Sequence, residues 1–350
     1  MKAFFYNLYL LKMNSCTNTI NGKKVNYFFS KNLKNLKSIV GLKKTIIITD
    51  ENVFHFNTRH LSKFECIVIP SGEEFKNQRT IDFVVDRLIH LGADRNSQLI
   101  GVGGGVVTDI TGYVASIYMR GIDFGFVPTT LLAMVDASIG GKNGIDVGIY
   151  KNMIGNIKQP SFIFYDFTLL NTLPKEEIIN GFAEIIKHAC IKDQKMFKYL
   201  ESYDLSKLTK SKTELYNLIQ QNALLKTEVV KRDEKENGER KLLNFGHTLG
   251  HAIENMYQLS HGQAVSIGMV YACKISENNI GFKETNRVID LLKKFELPTE
   301  FKFDELEVFE NMKKDKKKEN DRMNYILLKK IGSGYIESIK LSDLKRIILN

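Results

Sequence analysis

The chain has few of the residues that staple small folds. It carries only four cysteines and seven histidines in 350 residues. Cys16, Cys66, Cys190 and Cys273 are widely separated and form no Cys-x-x-Cys pair. That spacing excludes a disulfide framework and suits buried thiols in a reducing cytoplasm. No stretch reaches the roughly 18 consecutive apolar residues needed to cross a bilayer, so no membrane partner is expected. The apolar segment from Ala3 to Met13 is interrupted by Asn7 and Lys12, and no small-residue cleavage site follows it, so it reads as a first strand and not as a leader. Internal repeats and low-complexity linkers are missing. One long run of like charge is missing too. Lys313-Lys314-Asp315-Lys316-Lys317-Lys318 is short and mixed, and the net charge of +10 reads as lysine on the solvent face. A nucleic-acid partner is therefore not expected.

What is present is enough chain for two domains. Thr45–Asp50, Cys66–Pro70, Gln98–Val102, Phe124–Pro128 and Phe162–Asp166 are short apolar runs, and Ile81, Val84, Val85, Leu88 and Ile89 recur at helical spacing between two of them. Strands alternating with helices predict a mostly parallel, Rossmann-like sheet with covered faces, whose ligands sit at the carboxyl ends of the strands. Asn21-Gly22 is a hairpin turn signal. Beyond Asp166 the pattern changes. Thr172-Leu173-Pro174, followed by Glu176 and Glu177, opens a helix, and helical spacing continues to about Lys294. The expectation is an α/β domain over residues 1–170 and an all-α, metal-binding domain over residues 171–350.

Several candidate sites fall at predicted strand ends. Gly103-Gly104-Gly105-Val106-Val107-Thr108-Asp109 follows a strand and opens a helix, where backbone N–H groups can meet a pyrophosphate. Asp50 closes the first of these strands, Ser71-Gly72-Glu73-Glu74-Phe75-Lys76 follows the second, and Thr129 and Thr130 follow the fourth. Asp136-Ala-Ser-Ile-Gly-Gly-Lys142 and Lys151-Asn152 put two lysines on glycine-rich loops, an arrangement that suits a phosphate or a carboxylate and is also what a solvated loop looks like.

Three of the seven histidines, His247, His251 and His261, lie close together. His247 and His251 are four apart and would share one face of a helix. Histidine is the commonest metal ligand, but an i,i+4 pair arises by chance often enough to need further partners. Glu184, on the first helix of the second half, is the carboxylate the cluster lacks. Two histidines and one glutamate would make a catalytic rather than a structural zinc set. Glu184 and Lys187 are also i,i+3 neighbours, the ordinary spacing of a helix salt bridge. His188 reads as a core or surface histidine. Lys226, Glu236 and Arg240 lie in a charged run that is either a solvated helix and loop or a carboxylate-binding set.

Taken together, these segments resemble the 3-dehydroquinate synthase family, within the sugar phosphate cyclases. The resemblance extends to Tyr118-Met-Arg-Gly121, Phe182-Ala-Glu-Ile-Ile-Lys187, Leu243-Asn-Phe-Gly-His-Thr-Leu-Gly-His-Ala252 and His261-Gly-Gln-Ala-Val265, and it covers about Asp50 to Tyr335. It implies NAD+ and one divalent metal, zinc or cobalt. It implies conversion of 3-deoxy-D-arabino-heptulosonate 7-phosphate (DAHP) into 3-dehydroquinate and phosphate, by transient oxidation by NAD+, β-elimination of phosphate, re-reduction and intramolecular aldol closure. Glu184, His247 and His261 match the metal ligands. Asp50, Ser71 to Lys76, Gly105 to Asp109, Thr129, Thr130, Lys142, Lys151, Leu169, Leu170, Asn171 and Thr172 match the cofactor set. Lys142, Asn152, Asn244 and His251 match the phosphate end of the substrate, with Lys316 or Lys317 beside them, and Lys226 and Arg240 match its carboxylate end. Asp136, Lys187 and Glu236 complete the catalytic set. His251 is the candidate for proton handling. Arg120 matches a residue that reaches the neighbouring subunit's site, which implies a homodimer. Thr108, Asn143 and Gln263 depart from the family's usual glycine, threonine and acid. The alternatives are another sugar phosphate cyclase, or a metal-dependent alcohol dehydrogenase of glycerol dehydrogenase type.

Overall fold

Asn21 and Gly22 take φ of 43° and 79°. They turn the chain from β1 (Ser15–Ile20) into β2 (Lys23–Phe28), which pair antiparallel with Ile20 opposite Lys23. A two-residue loop of type I′, whose twist matches that of a hairpin, needs positive φ at both positions, which is why Asn-Gly suits it. In the computed structural model the described residues are 14–29, 31–41, 44–148, 150–205, 212–313, 318–319 and 321–349. The strand expected over Ala3–Met13 lies outside them.

The apolar runs form strands with helices between them. After α1 (Leu36–Val40) come β3 (Thr45–Asp50), α2 (Glu51–Leu61), β4 (Glu65–Ile69), α3 (Gln78–His90), β5 (Gln98–Gly103), α4 (Gly105–Ile117) and β6 (Asp123–Pro128). A hairpin of β7 (Lys142–Val147) and β8 (Tyr150–Ile157) follows, then β9 (Phe162–Phe164). The main sheet runs β1-β2-β9-β6-β5-β3-β4. All neighbours from β2 to β4 are parallel. Ile46, Ile47 and Ile48 of β3 are fully buried, as expected where helices cover both faces. From β3 the chain steps outward to β4, then returns to the other side of β3 with β5. That reversal is the topological switch point, and the carboxyl ends of β3 and β5 there are Asp50 and Gly103.

The helical half begins with α5 (Lys175–Lys192), α6 (Gln194–Ser202) and α7 (Lys212–Arg232). Pro174 stands just before α5, and its carbonyl accepts from the N–H groups of Glu177 and Ile178. Next come α8 (His247–Tyr257), α9 (His261–Ile280), α10 (Thr285–Lys294) and α11 (Glu305–Met312). This half is not helical throughout. The antiparallel strands β10 (Lys318–Glu319), β11 (Arg322–Lys330) and β12 (Ser333–Lys340) precede α12 (Leu341–Ile348). They form because Met323, Tyr325, Ile326, Leu327 and Leu328 bury a nearly continuous apolar run, and the Leu328 N–H donates to Ser276 Oγ on α9 at 3.0 Å.

The chain divides into two compact units that are not continuous in sequence. One takes Met1–Ile178 with Thr213–Lys235, the other Ile179–Lys212 with Glu236–Asn350. Side-chain contacts explain why α7 belongs with the first. Thr227 Oγ1 donates to the Tyr27 hydroxyl at 2.9 Å, Tyr216 stacks on Phe167, and Gln159 Nε2 donates to Glu234 at 2.9 Å.

Candidate active site

In the second unit, three helices bring Glu184, His247 and His261 together. Glu184 is wholly buried on α5, His247 opens α8 and His261 opens α9. The Nε2 atoms of His261 and His247 lie 3.2 Å and 3.4 Å from the same Glu184 oxygen, Oε1. The donor atoms of all three lie within 4.8 Å of one another. Helices α8 and α9 can approach this closely because a Cβ on Gly268 would overlap the Gly246 carbonyl. Gly246 is itself left-handed at φ 80° and turns the chain into α8.

The electrostatics suit a cation. Burial pushes Glu184 up, but the Lys187 ammonium against its Oε2 and the two histidine rings facing its Oε1 outweigh it and hold the carboxyl well below the usual range. Burial and the nearby Lys187 depress His247 to about 4, so its ring is neutral, and its Nδ1 lies 3.1 Å from the Phe245 carbonyl. Burial works against a charge on His261 as well, but Glu184 and Glu254 outweigh it and raise its pKa to about 10. An anionic oxygen and two inward-facing imidazole nitrogens are the donor set of a divalent zinc-like ion with open positions, so these residues fit such a metal.

Of the other predicted residues in this unit, His251 lies beside the trio. The His251 ring stands 5.0 Å from that of His247 and 6.3 Å from that of His261. The expected helical pair is therefore real, and the second histidine facing Glu184 is His261, on α9. Arg240 is buried and Asn244 ends the same short 3-10 turn, Glu239–Asn244. The Asn244 amide donates to Glu236, whose backbone is left-handed at φ 61°. His188 is fully buried, a core histidine. Gln263 closes a capping box with Ser260 at the start of α9. Lys316 and Lys317 lie outside the described residues.

The first unit holds the remaining candidates. Gly104 caps α4, whose first turn is Gly105, Val106, Val107 and Thr108, at the switch point of the sheet. The first N–H groups of such a helix have no intrahelical partner and suit a pyrophosphate. Thr108 turns its hydroxyl back to the Gly105 carbonyl at 2.9 Å. Lys76, at the end of Ser71-Gly72-Glu73-Glu74-Phe75-Lys76, pairs with Asp109 at 2.5 Å and lies 4.0 Å from Glu73. Burial opposes its charge, but Asp109 and Glu73 more than compensate and its pKa is raised. Lys151 lies 3.9 Å from Glu73. Asp50 caps α2 by accepting from the Val53 N–H at 2.9 Å, and the Thr130 hydroxyl accepts from the Ala133 N–H at 3.1 Å. The Thr129 N–H donates to the Gly103 carbonyl at 2.9 Å. Leu169, Leu170 and Asn171 lie on a 3-10 turn, Phe167–Asn171, that Thr172 caps.

Lys142 and Lys151 are on strands of a hairpin, not on open loops as their glycine-rich setting implied. Asn152 is held at φ 54°. Its N–H donates to Asp146 at 2.6 Å and its side-chain oxygen accepts from Lys76 at 2.7 Å. Asn143, at the family's usual threonine, donates to the carbonyls of Gly141 and Lys158 at 2.7 Å and 3.1 Å. Asp136 lies on a π-type turn, Ala133–Ala137, and accepts from Lys226 on α7 through both its carbonyl and its carboxylate at 2.7 Å. Arg120 is exposed with φ 68°. Asp146 and Glu254 were missed from the sequence, because neither lies in a spacing that distinguishes it from a surface acid.

The sequence profile described as 3-dehydroquinate synthase N-terminal matches residues 66–180, and the one described as 3-dehydroquinate synthase C-terminal matches residues 181–318. The chain belongs to the 3-dehydroquinate synthase family. A 3-dehydroquinate synthase of Thermoanaerobacter pseudethanolicus is 39% identical over 328 residues, which cover 89% of this chain and 92% of that one. Among solved structures, a 2-deoxy-scyllo-inosose synthase complexed with carbaglucose-6-phosphate, NAD+ and Co2+ is 25% identical, with a TM-score of 0.85 over 95% of this chain and 99% of that one. A 2-epi-5-epi-valiolone synthase from Streptomyces hygroscopicus with NAD+ and Zn2+ bound is 26% identical, also with a TM-score of 0.85, over 93% of this chain and 96% of that one. For a 3-dehydroquinate synthase, Glu184, His247 and His261 are then the natural place to look for a metal.

Proposed function

We infer that this member of the 3-dehydroquinate synthase family converts DAHP into 3-dehydroquinate and phosphate, using NAD+ catalytically and one zinc or cobalt ion. The observation that carries the reading is the convergence of two histidine nitrogens on one buried carboxylate oxygen, in a chain matched by the family over residues 66–318. Glu184, His247 and His261 hold the metal, which when bound supplies Lewis acidity to substrate hydroxyls. The Gly103–Asp109 turn and the Ser71–Lys76 segment hold NAD+, which when bound supplies a transient hydride acceptor.

The chain's own groups do the rest. Lys187 keeps Glu184 ionised. His251, half-buried beside two ligands, handles protons on the substrate's oxygens. In the second unit Asn244 is assigned to the substrate phosphate and Arg240 to its carboxylate; in the first, Lys142, Asn152 and Lys226 are the anion-binding candidates. The buried Arg240 guanidinium has the planar, two-pronged donor geometry that suits a carboxylate, a group that the substrates of other sugar phosphate cyclases lack, and this favours the dehydroquinate reading. We further propose a cytoplasmic homodimer in which Arg120 reaches the partner's site. The exposed side chains of Met119, Met153 and Ile154 support such a contact. The test is turnover of DAHP by zinc-loaded protein, with the product identified as 3-dehydroquinate. An unchanged substrate refutes the assignment.

A further inference from the structure

We propose that Glu254 is a positioning residue of the metal centre, whose carboxylate fixes the tautomer and the aim of the His261 ring. The proposal rests on the reading of Glu184, His247 and His261 as ligands. His261 uses both ring nitrogens. Its Nε2 faces Glu184 Oε1 at 3.2 Å, and its Nδ1 faces Glu254 Oε2 at 3.4 Å. A proton on Nδ1, donated to Glu254, leaves the Nε2 lone pair directed at the ion. His247 is arranged in the same sense, with Nδ1 against an acceptor and Nε2 inward, but there the acceptor is the Phe245 backbone carbonyl. One ligand is thus oriented by main chain and the other by a side chain.

Glu254 is buried and lies seven residues after His247 on α8, two turns along the same face. A buried carboxylate is costly without a polar partner, and His261 supplies one. The backbone of His261 is fixed separately. The Ser260 hydroxyl donates to Asn180 on α5 at 2.6 Å, and Gly262 packs so tightly on Asn180 that a Cβ would come within 2.6 Å of its Cα. What those contacts leave undetermined is rotation of the imidazole, including the flip that exchanges Nδ1 with Nε2. Glu254 removes that freedom. Its charge also makes the imidazole a better donor than a neutral acceptor would.

The experiment measures zinc affinity of the purified chain by competition with a chromophoric chelator, for native protein, Glu254→Gln and Glu254→Ala. Glu254→Ala is expected to weaken zinc binding by roughly 10–100-fold. Glu254→Gln, which keeps an acceptor but no charge, is expected to fall between Ala and native. The visible spectrum of the cobalt-loaded Ala variant should change, while the metal-free variants unfold near the native temperature. If Ala fails to fold, Gln decides: weaker zinc binding supports the proposal, and native affinity overturns it. Zinc binding indifferent to both substitutions overturns the positioning role alone. Two zinc ions per native chain, with one lost in Glu254→Ala, overturns it in favour of a second site at His251, Glu254 and His261, whose donor atoms also lie within 4.8 Å. A native chain that takes up no zinc overturns the ligand reading as well.

Discussion

The Lys76 ammonium lies 2.5 Å from the Asp109 carboxylate, and both side chains are largely buried. The pair joins the segment after β4 to the helix that opens at the glycine turn, so two stretches read as cofactor-binding are tied to each other. Removing one partner of such a pair leaves the other buried and unpaired, at about 3–5 kcal/mol. Lys76→Met is expected to lower stability by about that much and to weaken NAD+ binding. Adding Asp109→Asn should recover most of the stability and none of the binding. Denaturant titration and NAD+ titration read the two effects separately.

Gly268 and Gly246 let α8 and α9 touch. A methyl group on Gly268 meets the Gly246 carbonyl, which is backbone and cannot rotate away. Gly268→Ala is expected to cost roughly 1–3 kcal/mol by overpacking and to part His247 from His261. Metal affinity should fall with stability. Native zinc affinity in a folded Gly268→Ala protein would show that the ligands do not depend on this contact.

Metal uptake should depend on pH in a definite direction. In the metal-free chain His261 is raised to about 10 and His247 lowered to about 4. At neutral pH one of the two rings therefore carries an extra proton, which the metal must displace. Affinity should rise with pH, by about tenfold per unit, and level off as pH passes the His261 value. Calorimetry in buffers of different ionisation enthalpy should find about one proton released per ion at neutral pH. Uptake without proton release contradicts the assignment of His261.

Arg240 separates the proposed substrate from relatives that lack a carboxylate. A hydrogen bond to a charged partner is worth about 1.5–3 kcal/mol. Arg240→Leu should therefore raise KM for DAHP by roughly 10–100-fold, with metal content unchanged. Steady-state kinetics beside metal analysis checks this, and an unchanged KM assigns the carboxylate elsewhere.

The parallel strands were legible because each is a short apolar run bounded by turn residues, and the glycine turn because it stands where a strand meets a helix. The β7–β8 hairpin was not legible. Its residues are rich in Gly, Asn and Lys, Ile145 is the one large apolar side chain that its strands bury, and Met153, Ile154 and Ile157 of β8 are exposed, so no alternating apolar pattern marks it. Nor was the place of α7. Its helical spacing says that a face is buried, but not that Thr227 meets Tyr27 and Lys226 meets Asp136. The strands β10–β12 follow the last segment in which helical spacing was read. At the site, Glu184, His247 and His261 could be read as residue types that share one chemistry. Glu254 could not, because its partner depends on how α8 lies against the start of α9.

The most direct measurement is the ratio of phosphate released to NADH accumulated, with zinc-loaded chain, excess DAHP and NAD+ well below the substrate concentration. The account predicts many phosphates per NAD+ and no net NADH, with activity lost when a chelator strips the metal and restored by zinc or cobalt. One NADH per substrate consumed, with no phosphate released, would contradict it and leave an alcohol dehydrogenase on the same fold.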